Sequence, residues 1–423
     1  MNLIKKISNF WKTLGPGITT GAADDDPSGI ATYSQAGAKY GFGFLWMAVF
    51  TFPLMSIIQE MCARIGLVTG MGLAANIKKH YSKKAIYISA GLLFFANTFN
   101  IGANLGAMAE AVKLILPNSN FIFWIIVFAL FSLFLQIFVS YKKYAGYLKY
   151  LTFALFAYII AVFFVDIDWF LVLKSTVMPN FVFTKDTVFI ICAIIGTTIS
   201  PYLFFWQTSQ EVEEYELSPR EFVSKKDNAT LKHEIKNMRT DVWIGMFFSN
   251  IVMFFIMVTC AATLFHNGVF NINTASDAAN ALRPFAGDFT FFLFAVGIIG
   301  TGLLAIPVLA GSVSYAFSEA FSWKMGLNKN WREAMSFYGV IVVAVVLGIL
   351  MNFIGIDPIK ALIYSAILNG LVAPIIIYFI LHISGSKKIM GEFRNKKSYN
   401  VLGWFLFFLM ALVGVSTLFI LFT

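Results

Sequence analysis

Apolar residues occur in blocks long enough to cross a bilayer along almost the whole chain, separated by short polar stretches. The blocks fall near 14–40, 43–64, 86–113, 121–140, 147–170, 187–210, 241–265, 289–318, 334–354, 358–382 and 399–422. A bilayer core takes roughly 20 apolar residues per helix. The pattern therefore predicts an all-α integral membrane protein with eleven transmembrane helices. Composition agrees: of 423 residues, 59% are hydrophobic, 17% aromatic and 13% charged, with a mean hydropathy of +0.76. A soluble domain would carry roughly a quarter charged residues. No compositional break divides the chain, so 1–423 reads as a single transmembrane domain.

Lysine and arginine test the helix count. With the N-terminus cytoplasmic, 25 of the 31 basic residues fall in alternate loops on that side. These are Lys5, Lys6 and Lys12, then Arg64 to Lys84, Lys142 to Lys149, Arg220 to Arg239, Lys324 to Arg332, and Lys387 to Lys397. The other 6 fall in the opposite loops and none falls at mid-membrane. This is the positive-inside bias. It predicts a multi-pass protein of the plasma (inner) membrane, N-terminus cytoplasmic and C-terminus extracytoplasmic. The net charge of +9 then reflects topology and calls for no nucleic-acid partner. Cys62, Cys192 and Cys260 sit in separate apolar runs and read as small buried hydrophobes. His80, His233, His266 and His382 show no ligand spacing. The start, MNLIKKISNFWKTLGPG, lacks the pattern of a cleaved signal peptide. The stretch 211–239 reads as a cytoplasmic surface helix opened by the capping-box form Ser218-Pro219-Arg220-Glu221. Its Asn228-Ala229-Thr230 sequon lies on the wrong side for glycosylation.

Two blocks depart from a plain span. The first holds Asp24, Asp25 and Asp26, then Pro27-Ser28-Gly29, in its middle. An exposed turn there fails on length, because 15–23 and 30–40 are each too short to cross. Carboxylates at that depth mark a functional site. Pro27 removes a backbone donor and disfavours helical geometry at Asp26, and Gly29 relaxes the chain further. The helix should unwind, leaving carbonyls beside a carboxylate, a donor set for a hard cation. Asp26 is the principal ligand candidate and Asp25 a second; Asp24 and Asp25 either line the approach, cap the half-helix or share a proton. The sixth block breaks similarly at Gly196-Thr197-Thr198-Ile199-Ser200-Pro201. Broken helices at corresponding positions of two five-helix halves point to the binding site of an inverted-repeat transporter. The halves would be 14–170 and 187–382, with 399–422 additional.

These residues resemble the Nramp family of divalent-metal transporters. The matching residues are Gly15-Pro16-Gly17, Asp26-Pro27-Ser28-Gly29, Ala31-Thr32, Ala36-Gly37 and the run Glu60-Met61-Cys62-Ala63-Arg64-Ile65-Gly66-Leu67-Val68-Thr69-Gly70. The resemblance is dense over 15–75 and weakens to helix order beyond residue 240. It implies a LeuT-type inverted repeat of five plus five helices with helices 1 and 6 broken. It also implies a metal held between the Asp and Asn of the first motif and an Ala carbonyl and Met sulfur of the sixth helix. On this chain those positions are Asp26, Gly29, Thr197 and Ser200. Family histidines fall at Tyr202 and Gln207, and helix-three acids near Asn104 and Ala107. Thioether sulfur favours transition metals, whereas hydroxyl, carbonyl and carboxylate oxygens suit Mg²⁺ and Mn²⁺. Mg²⁺ sheds water reluctantly, and Gly29 and Ser200 vacate room for a hydrated ion. Loss of the histidines removes groups suited to shuttling protons.

The pattern resembles the Nramp-related magnesium transporter branch. It implies transport of Mg²⁺ and Mn²⁺ by alternating access without proton coupling; the metal is cargo, and no cofactor is expected. A proton-coupled Mn²⁺/Fe²⁺ symporter is the alternative. An organic-solute carrier would face repulsion from three acids, and no nucleophile elbow or phosphate loop suggests an enzyme. Thr198 and Asn369 could join Asp24, Tyr202, Gln207 and Asn104 along the pathway. Glu60 and Arg64 are expected to pair at i,i+4, and Glu110 and Glu319 to be interfacial. The polar stripe Asn97, Asn100, Asn104 either wets the pathway or joins helices.

Overall fold

Proline punctuates this chain where the spans divide. A computed structural model describes residues 15–139, 156–179, 181–217 and 228–422. In chain order its principal helices are α1 (Pro16–Asp24), α2 (Pro27–Tyr40), α3 (Leu45–Thr69), α4 (Leu73–His80), α5 (Lys83–Ile115) and α6 (Phe121–Phe138). They continue with α7 (Phe156–Ala161), α8 (Trp169–Val177), α9 (Lys185–Thr198), α10 (Pro201–Leu217) and α11 (Asn228–Cys260). The last are α12 (Thr290–Phe321), α13 (Met335–Met351), α14 (Pro358–Gly385) and α15 (Lys397–Phe422). Among the described residues there is no strand.

Among the described residues, eight stretches are long and apolar enough to cross a membrane. The expected eleven is not what this criterion returns, for identifiable reasons. The expected first and second spans merge into one stretch, Pro27–Thr69. There the chain reverses through a tight turn at Gly41, whose φ of 58° suits a residue without Cβ. α13 has the right character but only 17 residues. The predicted span 147–170 is described only from residue 156 onward. The stretch 211–239 is also not the connector expected. α10 runs on to Leu217 and α11 already starts at Asn228, so both ends are extensions of spans. The capping-box residues 218–221 lie outside the described residues.

The broken helices occupy the middle. The apolar window of Lys185–Glu216 is 83% buried, against 22% for Lys397–Phe422. α15 and α6 present Phe405, Phe408, Leu412, Phe123, Leu130 and Phe134 outward, as lipid-facing surfaces do. α11 packs along α1, α2 and α3, while α9 lies on α14 and α5 between α12 and α14. Glycine lets the central helices touch backbone to backbone. A Cβ on Gly21 would stand 2.3 Å from the Gly245 carbonyl oxygen, and one on Gly196 2.1 Å from that of Ala366.

Glu60 ties one end of the bundle together. Its fully buried carboxylate accepts from Arg239 (2.8 Å), the Trp243 indole N–H (3.0 Å) and the Tyr399 hydroxyl (2.8 Å). Arg64 forms the expected i,i+4 ion pair with it at 3.8 Å and also bonds Asn395. Thus α3, α11 and α15 share one charge. Glu110 pairs with Lys113 at 3.1 Å near a helix end, as an interfacial residue would. Glu319 is buried, and accepts the Ala75 N–H at 2.8 Å.

Candidate functional site

The local sequence dictates the first break. Asp25 leaves the helix, and Asp26, preceding Pro27, is extended at φ −68°, ψ 169°, as a residue before proline prefers. Asp26 caps α2: its Oδ1 accepts the Gly29 N–H at 3.0 Å and the Ser28 hydroxyl at 2.5 Å. Its Oδ2 accepts the side-chain amides of Asn100 (3.1 Å) and Asn104 (3.3 Å) from α5. The second break follows the same logic, with Ile199 and Ser200 non-helical ahead of Pro201.

The two breaks meet. Ser28 Oγ is 3.3 Å from Thr197 Oγ1, and the Tyr33 hydroxyl is 3.1 Å from Thr198 Oγ1. The Tyr202 hydroxyl donates to the Ala23 carbonyl at 3.1 Å, fastening α10 to the end of α1. At Gly29 a Cβ would lie 3.2 Å from Tyr33 Cε2 and 3.4 Å from both Thr197 Oγ1 and the Asp24 carbonyl oxygen, so the breaks close tightly around this glycine and the room expected there is already filled by its neighbours. Ser200 turns its hydroxyl back onto its own helix, within 2.8 Å of the Gly196 and 2.7 Å of the Thr197 carbonyl oxygens. Asp24, Asp25 and Asp26 are all buried. Ser249 of α11 stands 2.5 Å from Asp24 Oδ2 and 3.3 Å from Asp25 Oδ1. Asp24 Oδ1 has no hydrogen-bond partner among the described residues. No three His, Cys, Asp or Glu side chains among those residues converge as a ready-made metal cluster. The donors gathered here are the Asp24, Asp25 and Asp26 carboxylates, hydroxyls and peptide oxygens.

A protein-family model described as natural resistance-associated macrophage protein-like (Nramp) matches residues 17–420. The chain belongs to the Nramp family. It is 26% identical to the divalent metal cation transporter MntH of Clostridium acetobutylicum, over all of this chain and 94% of that relative. Its counterpart in Caldanaerobacter subterraneus is 24% identical, over 94% of this chain and 90% of its own length. Among solved structures, the Eremococcus coleocola manganese transporter in complex with an aromatic bis-isothiourea compound superposes with a TM-score of 0.78 at 19% identity, covering 96% of this chain and 86% of that one. The inward-facing conformation of Mhp1 gives a TM-score of 0.58 at 15% identity, with 96% and 88% covered. These likenesses support the LeuT-type arrangement of helices and a multi-pass membrane protein.

In this Nramp chain the remaining expected residues divide. Asn104 reaches Asp26 directly, and its own carbonyl oxygen is left without a partner. Asn369 is buried with neither amide atom bonded, next to Gly370, which packs on Gly196. Gln207 lies apart from Asp26: it accepts the Thr20 hydroxyl at 2.5 Å and donates to Glu211 at 2.9 Å. Thr198 donates to the Ile194 carbonyl at 2.6 Å, with Met253 Sδ at 3.8 Å. Of the asparagine stripe, Asn97 joins helices, bonding the Leu309 carbonyl and Ser312 of α12. Ser249 and Tyr33 were absent from the expected set. Ser249-Asn250 interrupts an otherwise apolar run, which is the one signal that marks it.

Proposed function

We propose that this Nramp chain imports divalent metal cations by alternating access, Mg²⁺ preferentially and Mn²⁺ alongside, without coupling to protons. The observation carrying this reading is the all-oxygen meeting of the two breaks, where Asp26, Ser28 and Thr197 come together around Gly29. Hard oxygen donors suit Mg²⁺ and Mn²⁺. Asp26, Asp25, the Thr197 carbonyl and the Ser200 hydroxyl are the proposed ligands, directly or through water, with Gly29 letting the two breaks approach closely. A divalent cation here would also offset the mutual repulsion of three consecutive buried carboxylates. The names of the relatives, a manganese transporter and divalent metal cation transporters, support the substrate class.

The side chains at the positions of the family histidines and helix-three acid favour a mechanism without proton coupling. Asn104 donates an amide hydrogen to Asp26, and Tyr202 and Gln207 hold α1 against α10. None of the three takes up and releases a proton in the physiological range. The two halves 14–170 and 187–382, each opening on a broken helix, would rock about this point. The positive-inside bias favours an orientation with the basic end cytoplasmic.

Uptake into proteoliposomes of Mg²⁺, Mn²⁺ and Ca²⁺, with lumenal pH recorded, tests the proposal. Entry of Mg²⁺ and Mn²⁺ without a pH change is expected. Lumenal acidification accompanying Mn²⁺, with Mg²⁺ excluded, would establish the proton-coupled Mn²⁺/Fe²⁺ symporter in its place.

A further inference from the structure

A cavity of about 500 Å³ opens at the basic end of the bundle, away from the helix breaks. His80 of α4 and the adjoining Tyr81 form one wall. His382 and Gly385 of α14, Lys388 of the short turn that follows it, and Asn400 and Trp404 of α15 supply the others. Nothing in the transport reading uses it.

Charge decides what the cavity could hold. Among the described residues lining it none is acidic, while His80, His382 and Lys388 are basic. Burial and the neighbouring Lys79 and Lys388 hold the His80 imidazole below its ordinary pKa. That crowding of positive charge is what an anion relieves. The Asn400 carbonyl oxygen is occupied by the Asn395 amide at 2.8 Å, which fixes the side chain and leaves its own N–H₂ as a donor. The first turn of α15 and the last turn of α14 contribute partial charges of opposite sign, so the full charges and the amide set the preference. His382 is oriented between Tyr378, with centroids 4.5 Å apart, and Trp404 at 5.5 Å. The volume is that of a small-molecule pocket and far exceeds one phosphate group. Beyond Trp404 the surface of α15 continues through exposed Phe405 and Phe408 into the lipid-facing zone.

We infer that this cavity binds a phosphate-ester anion, the phosphate held by Lys388, His80 and the Asn400 amide and its organic body lying against Trp404 and Leu381. Two sources share that chemistry: the headgroup of an anionic phospholipid at the membrane surface and a soluble phosphate ester. Phosphate is bound by lysine as a point charge and by amide donors at hydrogen-bond range.

The test compares wild-type protein with the double variant His80→Gln/Lys388→Gln and with Lys329→Gln, a surface charge outside the cavity. One arm reconstitutes each protein in nanodiscs of phosphatidylcholine alone or with phosphatidylglycerol, and reads melting temperature and lipid adducts by native mass spectrometry. The other titrates glycerol 3-phosphate into detergent-purified protein by calorimetry. Equal melting temperatures in phosphatidylcholine establish that the variants fold. A wild-type adduct or heat signal, weakened roughly fivefold in the double variant, the worth of about one basic residue at an anionic surface, and unchanged in Lys329→Gln is expected. The arm that responds identifies the source. No binding in either arm, or equal binding by wild type and double variant, overturns the inference. So does equal weakening in Lys329→Gln, because the effect would then be general surface charge.

Discussion

Replacing Asp26 by asparagine separates charge from shape at the helix break. The carboxylate accepts four hydrogen bonds, two on each oxygen. An amide keeps one oxygen. With that oxygen in the Oδ1 place, the Ser28 and Gly29 bonds survive and α2 stays capped. The new N–H₂ then faces the Asn100 and Asn104 amides. Asn104 can reverse and accept, since its carbonyl oxygen is otherwise unbonded. Asn100 cannot do so without losing the Ser365 hydroxyl bond at 3.0 Å. About one donor is left unmatched, a cost of about 1–3 kcal/mol, partly offset by removing one of three adjacent buried charges. The variant should therefore fold and insert, with a modestly lowered melting temperature. Cation binding suffers far more. A divalent ion about 4 Å from a carboxylate, at an effective dielectric constant of about 20, gains roughly 8 kcal/mol before desolvation. If only about 2 kcal/mol of this survives as net binding, its loss raises the half-saturating Mg²⁺ concentration roughly 30-fold. Initial rates of Mg²⁺ uptake over a concentration series, in vesicles carrying matched amounts of protein, measure this. Undiminished uptake at low Mg²⁺ by a folded Asp26→Asn protein would refute the assignment. Asp26→Ala should abolish uptake, and it additionally removes the cap of α2.

Three further perturbations probe the neighbourhood. Ser200→Met places a soft thioether at the second break and should raise the Mn²⁺ to Mg²⁺ ratio in competition uptake; an unchanged ratio would show that donor softness does not set selectivity. Gly245→Ala sets a methyl 2.2 Å from the Gly17 carbonyl oxygen, so α1 must move off α11 and strain the Asp241 bonds to the Gly15 (2.9 Å) and Gly17 (2.7 Å) N–H groups. Overpacking of this kind costs about 1–3 kcal/mol, read as a lower melting temperature and slower transport, and wild-type values for both would contradict the close approach. Glu60→Gln removes the charge facing Arg239 and the buried Arg64. Breaking a buried pair costs about 3–5 kcal/mol, so the melting temperature should fall by more than in Gly245→Ala, and the reverse order would count against Glu60 as the hub.

The parts of this protein visible in its sequence are those where a local rule collides with the lipid environment. Pro27 and Pro201 each disfavour a helical residue before them, and both breaks occur within two residues of the proline. Three carboxylates inside an apolar run could not be a surface turn because the flanks are too short. The alternation of basic loops yields an expected orientation in the same way. Counting spans was harder, because hydropathy cannot see the Gly41 reversal that joins two spans or weigh a helix as short as α13.

The polar residues inside unbroken spans are a different problem. A helical stripe says which asparagines share a face, but not which neighbour that face meets. Asn97, Asn100 and Asn104 are chemically identical and evenly disposed, yet Asn97 grips a carbonyl of α12 while the other two grip Asp26. The partners are 74 to 215 residues away in sequence, beyond any local signal. Ser249 was missed for the same reason: a lone serine in a span ordinarily bonds its own helix, and only packing of α11 against α1 turns it toward Asp24 and Asp25. What separates joining from function is the nature of the partner. A buried amide bonded to a backbone carbonyl neutralises a dipole and is finished. One bonded to a carboxylate orients a charge, here the one proposed to hold the cation, and Asn100 and Asn104 are of that second kind.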